Sequence, residues 1–250
     1  MNTQPTQPFY SRSFSPLGQD VDQNKRLRLT RFLQKTQEAA EAHADLYQCG
    51  YHHLITQNIV WVLSRMRLHI VRMPQWEEPV QLQTWHKRVE RIFSLRDFIL
   101  FDAHNRPIIT ATSAWLLMDT HTRRMLRVEN VLPYLANIRI EQEAITQVPD
   151  KLTPPNNTPL LLDQTHRVVY SDLDLINHVT NTKYVEWTLD ALPFEAINTQ
   201  TITTLQINFN VEARHNDCVE LWHASPNANT HYVEGRRGDQ NLFGCLCEMG

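Results

Sequence analysis

The residues best suited to acid–base chemistry lie close together in segment 171–181. Two carboxylates (Asp172 and Asp174), the amide of Asn177 and the imidazole of His178 precede a predicted helix. A carboxylate or an imidazole can take a proton from an attacking water. Unpaired N–H groups at a helix start can stabilise the negative charge that gathers on a carbonyl oxygen. Hydrolysis at a carbonyl carbon needs both functions, so this segment is a candidate catalytic site.

The same residue types also form turns. Ser, Asp and Asn are the usual residues of turns and helix N-caps, and that role explains one or two of these polar side chains. It does not explain His178 together with two acids. The residues alone leave capping and catalysis as equal alternatives.

Downstream, Glu212 interrupts the strand pattern of the stretch 206–215. Strands commonly carry exposed acids at alternate positions, which is one explanation of this residue. Alternatively, a carboxylate near Asp174 would raise the pKa of one of the two acids and supply a base that works near neutral pH. Glu212 is therefore a candidate member of the same site.

The elements that would position these residues occur twice in the same order. Apolar side chains three and four apart predict a helix over 29–47, ended by Gly50, and another over 182–192, stopped by Pro193. A short strand precedes each helix, at 9–14 and 166–170. The strands predicted after the helices lie at 59–71, 80–89, 93–102 and 107–119, and at 202–211, 219–223, 231–236 and 242–247.

This order predicts a duplicated α+β unit. The polar, proline-rich stretch 140–161 is interpreted as a linker between residues 1–139 and 162–250. In each unit one helix would be embraced by one curved antiparallel sheet, and the two units would pack as one body. Only the second helix is expected to follow an acid-rich loop.

Composition argues against several other classes of protein. The formal net charge of -3 over 250 residues argues against a surface that coats nucleic acid. Four cysteines without a CxxC pair, and a start without an apolar leader, predict a cytoplasmic protein. No stretch approaches the roughly 18 apolar residues that a membrane span needs. The 12 histidines match no common zinc spacing, so neither a metal nor a cofactor is predicted.

Segment 171–187, SDLDLINHVTNTKYVEW, resembles the pattern SDLD-x-N-x-HVNN-x-KY-x-x-W of acyl-acyl carrier protein thioesterases, a family of plants and bacteria. In the first repeat, NIVWVLSRM at 58–66 is similar to the family's L-W-V-x-x-R-M strand. Trp76, Trp85 and the runs 113–118 and 122–124 also fall where that family has them. The resemblance covers most of the chain, from Phe9 to about Glu220.

The resemblance implies a tandem hot-dog fold and hydrolysis of a fatty acyl thioester on acyl carrier protein. It implies Asp174, His178 and Glu212 as the acid–base set, in a catalytic second unit. The first unit would bind the acyl chain, and the candidate tunnel side chains, each of which could equally be plain core, are Trp61, Met66, Trp85, Trp115 and Met118. The basic residues that could dock an acidic carrier, or simply form a solvated face, are Arg123, Arg124 and Arg127, with the cluster 25–31 as the alternative.

Two positions depart from the family pattern. Ile176 stands where the family has asparagine, and isoleucine has no hydrogen-bond donor or acceptor in its side chain. Asn177, one place later, is therefore a candidate to replace the missing amide, although a turn-forming role explains it equally well. Ala213 stands where a cysteine often follows the glutamate. That position offers no nucleophile, so an activated water is expected.

Three other functions are compatible with the residues. A hydratase or dehydratase of the same fold would keep an acid and a histidine but would release no thiol. An acyl-CoA thioesterase would act on a different carrier, and a non-catalytic acyl-thioester binder would need no base. No helix-turn-helix candidate or basic segment indicates a DNA-binding regulator. The sequence leaves open whether identical copies associate into a homo-oligomer.

Overall fold

A computed structural model describes residues 7–250 of the chain. The described chain divides into two compact units. One comprises the described residues up to Met66 together with Met73–Pro149, and the other comprises Arg67–Arg72 together with Asp150–Gly250.

The first unit contains one long helix and an antiparallel sheet. Helix α1 spans Leu29–Leu46, and the short helices are α2 (Tyr51–Leu54), α3 (Val128–Val131) and α4 (Pro133–Ala136). The strands are β1 (Tyr10–Phe14), β2 (Ile59–Ile70), β3 (Val80–Glu90), β4 (Phe93–Phe101), β5 (Pro107–Asp119) and β6 (Met125–Leu126). Their order is β1–β3–β4–β5–β2, with β6 beside β5. Strand β2 continues past Met66 into the residues grouped with the second unit.

Helix α1 packs one face against β1 and β3, because its apolar side chains recur three and four residues apart. Phe32 and Ala39 on that face are fully buried. Near the end of the helix, Ala44 joins a core cluster that includes Leu117 of β5 and Leu135 of α4. The alanines allow the helix and the neighbouring side chains to approach closely, which is how a protein interior reaches its usual packing density.

The second unit repeats this plan with a shorter helix. Its helices are α5 (Asn181–Asp190) and α6 (Phe194–Thr199), and its strands are β7 (Leu161–Arg167), β8 (Ile202–Phe209), β9 (Cys218–Asn227), β10 (Thr230–Arg237) and β11 (Gln240–Met249). The strand order is β8–β11–β10–β9–β7, with antiparallel pairs. Helix α5 packs on β10 and β11. The predicted α+β class with antiparallel sheets is confirmed.

The strand predicted at 166–170 was wrong in its bounds. Strand β7 ends at Arg167, and Tyr170–Asp172 form a 3-10 turn instead. The turn is stabilised by the carboxylate of Asp172, which accepts the N–H of Val169 at 2.9 Å. A local hydrogen bond from side chain to backbone competes here with strand pairing, and apolar periodicity does not detect it.

The first residues of the stretch predicted as a linker lie against the first unit. The indole N–H of Trp85 donates to the carbonyl oxygen of Gln142 (3.2 Å), and the Lys87 ammonium donates to that of Ile145 (2.7 Å). Lys87 and Asp97 are both fully buried, with 3.4 Å between ammonium and carboxylate. A buried ion pair of this kind is tolerated only when further hydrogen bonds satisfy both groups. These bonds hold residues 142–145 on the sheet of the first unit.

Candidate active site

The acid-rich loop folds back on itself between β7 and α5. Leu173 and Val179 form an isolated β-bridge, and the N–H of Asp174 donates to the carbonyl oxygen of His178 (2.8 Å). The N–H of Asn177 donates to the carbonyl oxygen of Asp174 (3.2 Å), and the φ of Asn177 is 62°. Asparagine adopts this left-handed conformation more readily than most residues. The result is a tight loop that ends on His178.

Two aspartates shape this loop through backbone N–H groups. One carboxylate oxygen of Asp174 accepts the N–H of Ile176 (2.9 Å) and the N–H of His178 (3.1 Å). Asp172 is buried and accepts the N–H of Val169. These are the bonds of an Asx turn and a cap. Turn formation therefore explains much of what the two acids do.

Turn formation does not explain the pairing of His178 with Glu212. The Nε2 atom of His178 lies 3.3 Å from Oε2 of Glu212, and both side chains are partly exposed. An isolated β-bridge between His178 and Arg214, and a hydrogen bond from the N–H of Val179 to the carbonyl oxygen of Ala213 (3.0 Å), hold the two segments side by side. An imidazole beside a carboxylate that solvent can reach is an arrangement suited to moving a proton.

Two residues at the site were not singled out from the sequence. The hydroxyl of Tyr184 accepts the N–H of Ala213 at 2.9 Å, directly after Glu212. Burial raises the pKa of Tyr184 to about 12, so the phenol stays neutral. His166 places its Nε2 2.8 Å from the carboxylate of Asp172. Only Tyr184 had a signal in the sequence, as part of the Lys-Tyr pair within the family pattern.

The start of α5 follows the loop directly. Thr180 occupies the N-cap position, and its own N–H donates to the carbonyl oxygen of Asp172 (2.9 Å). Its side chain makes no capping hydrogen bond. The N–H groups of the first helical turn are thus not occupied by the side chain that usually caps them.

The first unit contains the same loop ahead of α1, so the expectation that only the second helix follows an acid-rich loop was wrong. One carboxylate oxygen of Asp22 accepts the N–H groups of Asn24 (2.8 Å) and Arg26 (2.9 Å). The N–H of Asp22 donates to the carbonyl oxygen of Arg26 (2.8 Å), and Lys25 has a φ of 60°. Apart from the acids, the two loops share few side-chain types. Their likeness lies in backbone hydrogen bonds, which a comparison of residue types misses.

The five candidate acyl-binding residues lie on β2, β3 and β5 but not on one surface. Trp85 pairs with Asp97 and Asp97 with Thr112, so these three side chains share one face of the sheet. Trp115 lies three residues beyond Thr112 on β5 and therefore points to the opposite face. The remaining three are Trp61, packed against the core cluster beside α1; Met66, buried on β2; and Met118, partly buried on β5.

The candidate docking residues lie on either side of β6 and are all exposed: Arg123 and Arg124 precede it, and Arg127 follows it. Met125, the first residue of β6, is exposed between them. The alternative basic cluster is partly neutralised. Arg26 places its Nε 3.0 Å from the carboxylate of Asp22, and Arg31 lies 3.6 Å from that of Asp20. Arg26 and Arg31 are also partly buried, whereas the three arginines around β6 are all exposed.

Within residues 7–250, no group of three or more His, Cys, Asp or Glu side chains is placed to hold a metal ion. The same part of the chain contains no helix that is both long and apolar enough to cross a membrane. The four cysteines are free thiols.

Comparison with protein families covers both units. Residues 7–133 match the family described as Acyl-ACP thioesterase N-terminal domain, and residues 161–242 match Acyl-ACP thioesterase C-terminal domain. The second match contains Asp174, His178 and Glu212.

Individual proteins agree with this match. Oleoyl-acyl carrier protein thioesterase 2, chloroplastic, of Arabidopsis thaliana is 28% identical over 249 residues, which cover 92% of this chain and 67% of the relative. The chain spans from 46% to 67% of the length of this and two further curated relatives.

Two solved structures match nearly the whole chain. An acyl-ACP thioesterase from Bacteroides thetaiotaomicron superposes with a TM-score of 0.86 at 24% identity, covering 99% of this chain and 100% of that one. The 12:0-ACP thioesterase from Umbellularia californica superposes with a TM-score of 0.85 at 19% identity, covering 99% of each chain. At these identities the likeness concerns the fold, and the predicted hot-dog fold is confirmed.

Proposed function

Because the chain belongs to the acyl-ACP thioesterase family, we propose that it hydrolyses the thioester of a fatty acyl chain carried by acyl carrier protein. The observation that carries this proposal is the 3.3 Å approach of His178 Nε2 to Glu212 Oε2 beside the start of α5. Water attacks the thioester carbonyl, and the bond from carbonyl carbon to sulfur breaks. The products are the free fatty acid and the thiol of the carrier.

In this mechanism His178 takes a proton from the attacking water, and the carboxylate of Glu212 stabilises the imidazolium that forms. The imidazolium then returns the proton to the departing sulfur. The N–H groups at the start of α5 stabilise the charge on the carbonyl oxygen. Ala213 offers no nucleophile next to Glu212, so no covalent acyl-enzyme forms at that position.

The two units divide the work in this proposal. Residues 1–139 bind the acyl chain, and residues 162–250 hold the acid–base pair. Trp61 and Trp115 are the stronger candidates for acyl contact. Trp61 packs against the cluster beside α1. Trp115 shares a face of the sheet with Ser113 and Arg96, and the Arg96 guanidinium lies 2.9 Å from His43 of α1. The other candidates are Met66, Trp85 and Met118. A cytoplasmic setting, where a carrier with a free thiol persists, belongs to the same proposal.

A thiol-release assay tests the reaction. We expect acyl-acyl carrier protein to release thiol and free fatty acid, and to do so faster than acyl-CoA with the same chain. A hydratase would change an enoyl or 3-hydroxyacyl thioester without releasing thiol, and a binder would turn over neither. Absence of thiol release from every acyl thioester would refute the proposal.

The docking surface yields a prediction about KM. Replacing Arg123, Arg124 and Arg127 together by alanine should raise KM for acyl-acyl carrier protein by about tenfold, because an acidic carrier loses its electrostatic partner. Added salt should likewise raise the KM of the wild type for acyl-acyl carrier protein, because it screens the same charges. Short acyl-pantetheine substrates, which lack the carrier, should keep their KM. An unchanged KM for the carrier substrate would assign docking to another face, with Lys25 and Arg28 the next to test.

A substitution of Asn177 distinguishes its two possible roles, turn formation and replacement of the amide missing at Ile176. Glycine adopts a φ near 62° without strain, so Asn177→Gly keeps the backbone while removing the amide. Among the described residues the Asn177 side chain makes no hydrogen bond. We therefore expect single-turnover rates within about threefold of wild type. A hundredfold fall in the single-turnover rate would instead show that the side-chain amide of Asn177 takes the hydrogen-bonding role that the Ile176 side chain cannot.

A further inference from the structure

The two loops correspond bond by bond at a constant offset along the chain. The N–H of Arg28 donates to the carbonyl oxygen of Asp20 (2.8 Å), and the N–H of Thr180 donates to that of Asp172 (2.9 Å). The carboxylates of Asp22 and Asp174 each accept two N–H groups of their own loop, as described above. The loop shape is therefore common to both units.

The segments that pair with the two loops also correspond. The N–H of Leu27 donates to the carbonyl oxygen of Pro74 (2.8 Å), as the N–H of Val179 donates to that of Ala213 (3.0 Å). Pro74 and Ala213 are both buried. They therefore occupy equivalent positions in the two units.

The acid–base pair exists in only one of the two copies. Counting along the matched loops, Arg26 takes the position of His178. Met73, which precedes Pro74, takes the position of Glu212. The first unit thus retains the scaffold of the site, but the positions of His178 and Glu212 carry neither an imidazole nor a carboxylate.

The two units also differ at a third equivalent position, on the helix. Phe32 of α1 stands at the position of Tyr184 of α5, and both rings are buried. Phenylalanine has no hydroxyl and Pro74 has no N–H. The hydrogen bond from Ala213 to Tyr184 is therefore impossible in the first unit. A ring without a hydroxyl fills this position there, so packing alone does not require the hydroxyl of Tyr184.

We infer that Tyr184 is a positioning residue for the reaction: its hydroxyl holds the N–H of Ala213 and thereby directs the preceding side chain, Glu212, at His178. Both backbone groups of Ala213 are bonded: its N–H donates to the hydroxyl of Tyr184, and its carbonyl oxygen accepts the N–H of Val179. This inference rests on the proposed role of the acid–base pair and adds a residue that touches neither substrate nor the reacting atoms.

Tyr184 can act in this way because its ring is held firmly. Its centroid lies 5.3 Å from that of Trp187, 5.9 Å from that of Phe209 and 5.2 Å from that of Phe243. Aromatic rings at such separations pack edge-to-face or tilted and have little freedom to move. A rigid ring gives its hydroxyl a fixed location.

Tyr184→Phe tests the inference, since it removes one oxygen and copies the residue that the first unit carries. We expect kcat for acyl-acyl carrier protein to fall about tenfold while KM stays within about twofold, because misplacing a catalytic group lowers turnover rather than binding. Tyr134→Phe is the matched control. It loses a 2.8 Å bond from a tyrosine hydroxyl to the carbonyl oxygen of Tyr47, and its kcat should remain that of wild type.

A double-mutant cycle with Ala213→Pro sharpens the test. Proline removes the N–H from the other partner and is the residue present at Pro74. If the bond between the two groups matters, Tyr184→Phe combined with Ala213→Pro should turn over no more slowly than the slower single variant. Fully additive losses, or wild-type kcat in Tyr184→Phe, would overturn the inference.

The outcomes distinguish this inference from the proposed function. An active wild type with an equally active Tyr184→Phe variant refutes only the role of Tyr184. A wild type that releases no thiol from any acyl thioester refutes the proposed function. In that case a crystal structure of Tyr184→Phe still decides the inference: the distance from His178 Nε2 to Glu212 Oε2 should exceed 3.3 Å, and an unchanged distance would overturn it.

Discussion

Replacing His178 with alanine should lower kcat for acyl-acyl carrier protein by about 10²–10⁴-fold, the usual contribution of a positioned acid or base. The imidazole keeps 14% of its side-chain surface exposed and lies outside the hydrophobic core, so the space left by its removal is open to solvent. The free energy of unfolding should therefore change by about 1 kcal/mol or less. Rapid-quench turnover and urea denaturation measure the two effects separately.

Glu212→Gln should lower kcat by a similar factor, because glutamine keeps the shape of the side chain but has no negative charge to stabilise an imidazolium. The pair acts as one unit, so the variant carrying both substitutions should be about as slow as His178→Ala alone. His53→Ala is the control, since His53 belongs to α2 of the first unit, where its imidazole lies 3.8 Å from the carboxylate of Asp45, and the variant should keep full turnover. Normal turnover with normal stability in His178→Ala would remove the histidine from the mechanism.

Substitution of Asp174 should also lower kcat strongly, by a factor that depends on which residue replaces it. Asp174→Ala should lower kcat by about a hundredfold, because the N–H groups of Ile176 and His178 lose their acceptor and the loop no longer presents the imidazole. Asp174→Asn should stay within about fivefold of wild type, because an amide oxygen accepts the same two hydrogen bonds. Kinetics of both variants over a range of pH provide the measurement.

The reason for this expectation is the first unit, where Asp22 makes the same two bonds in a loop without histidine or glutamate at the equivalent positions. A carboxylate that both copies retain serves what both copies share, which is the loop. Asp22→Ala is thus the matched control and should disturb the first loop while kcat remains near wild type. If Asp174→Asn proved as slow as Asp174→Ala, the carboxylate would instead take part in proton transfer.

Local patterns in the sequence determined most of the regular elements. Strand β5 spans Pro107–Asp119, as its apolar run predicts, and α1 follows the three-and-four spacing that begins at Leu29. These predictions succeed because a residue's periodic position decides whether its side chain faces the core. The family pattern at 171–187 likewise identified the loop that carries Asp174 and His178. Each of these signals lies within a few consecutive residues.

Only the tertiary structure decided which distant residues meet. The resemblance implied that Glu212 belongs with His178, but the contact between its carboxylate and Nε2 of His178 is seen only in the structure. The bond from Ala213 to Tyr184 likewise joins two segments that no local pattern relates. The opposite faces of Trp85 and Trp115 depend on strand register in the same way. A shift of register by one residue moves every side chain of a strand to the other face. Such contacts follow from how strands pair and how helices and loops pack on them, which consecutive residues do not encode.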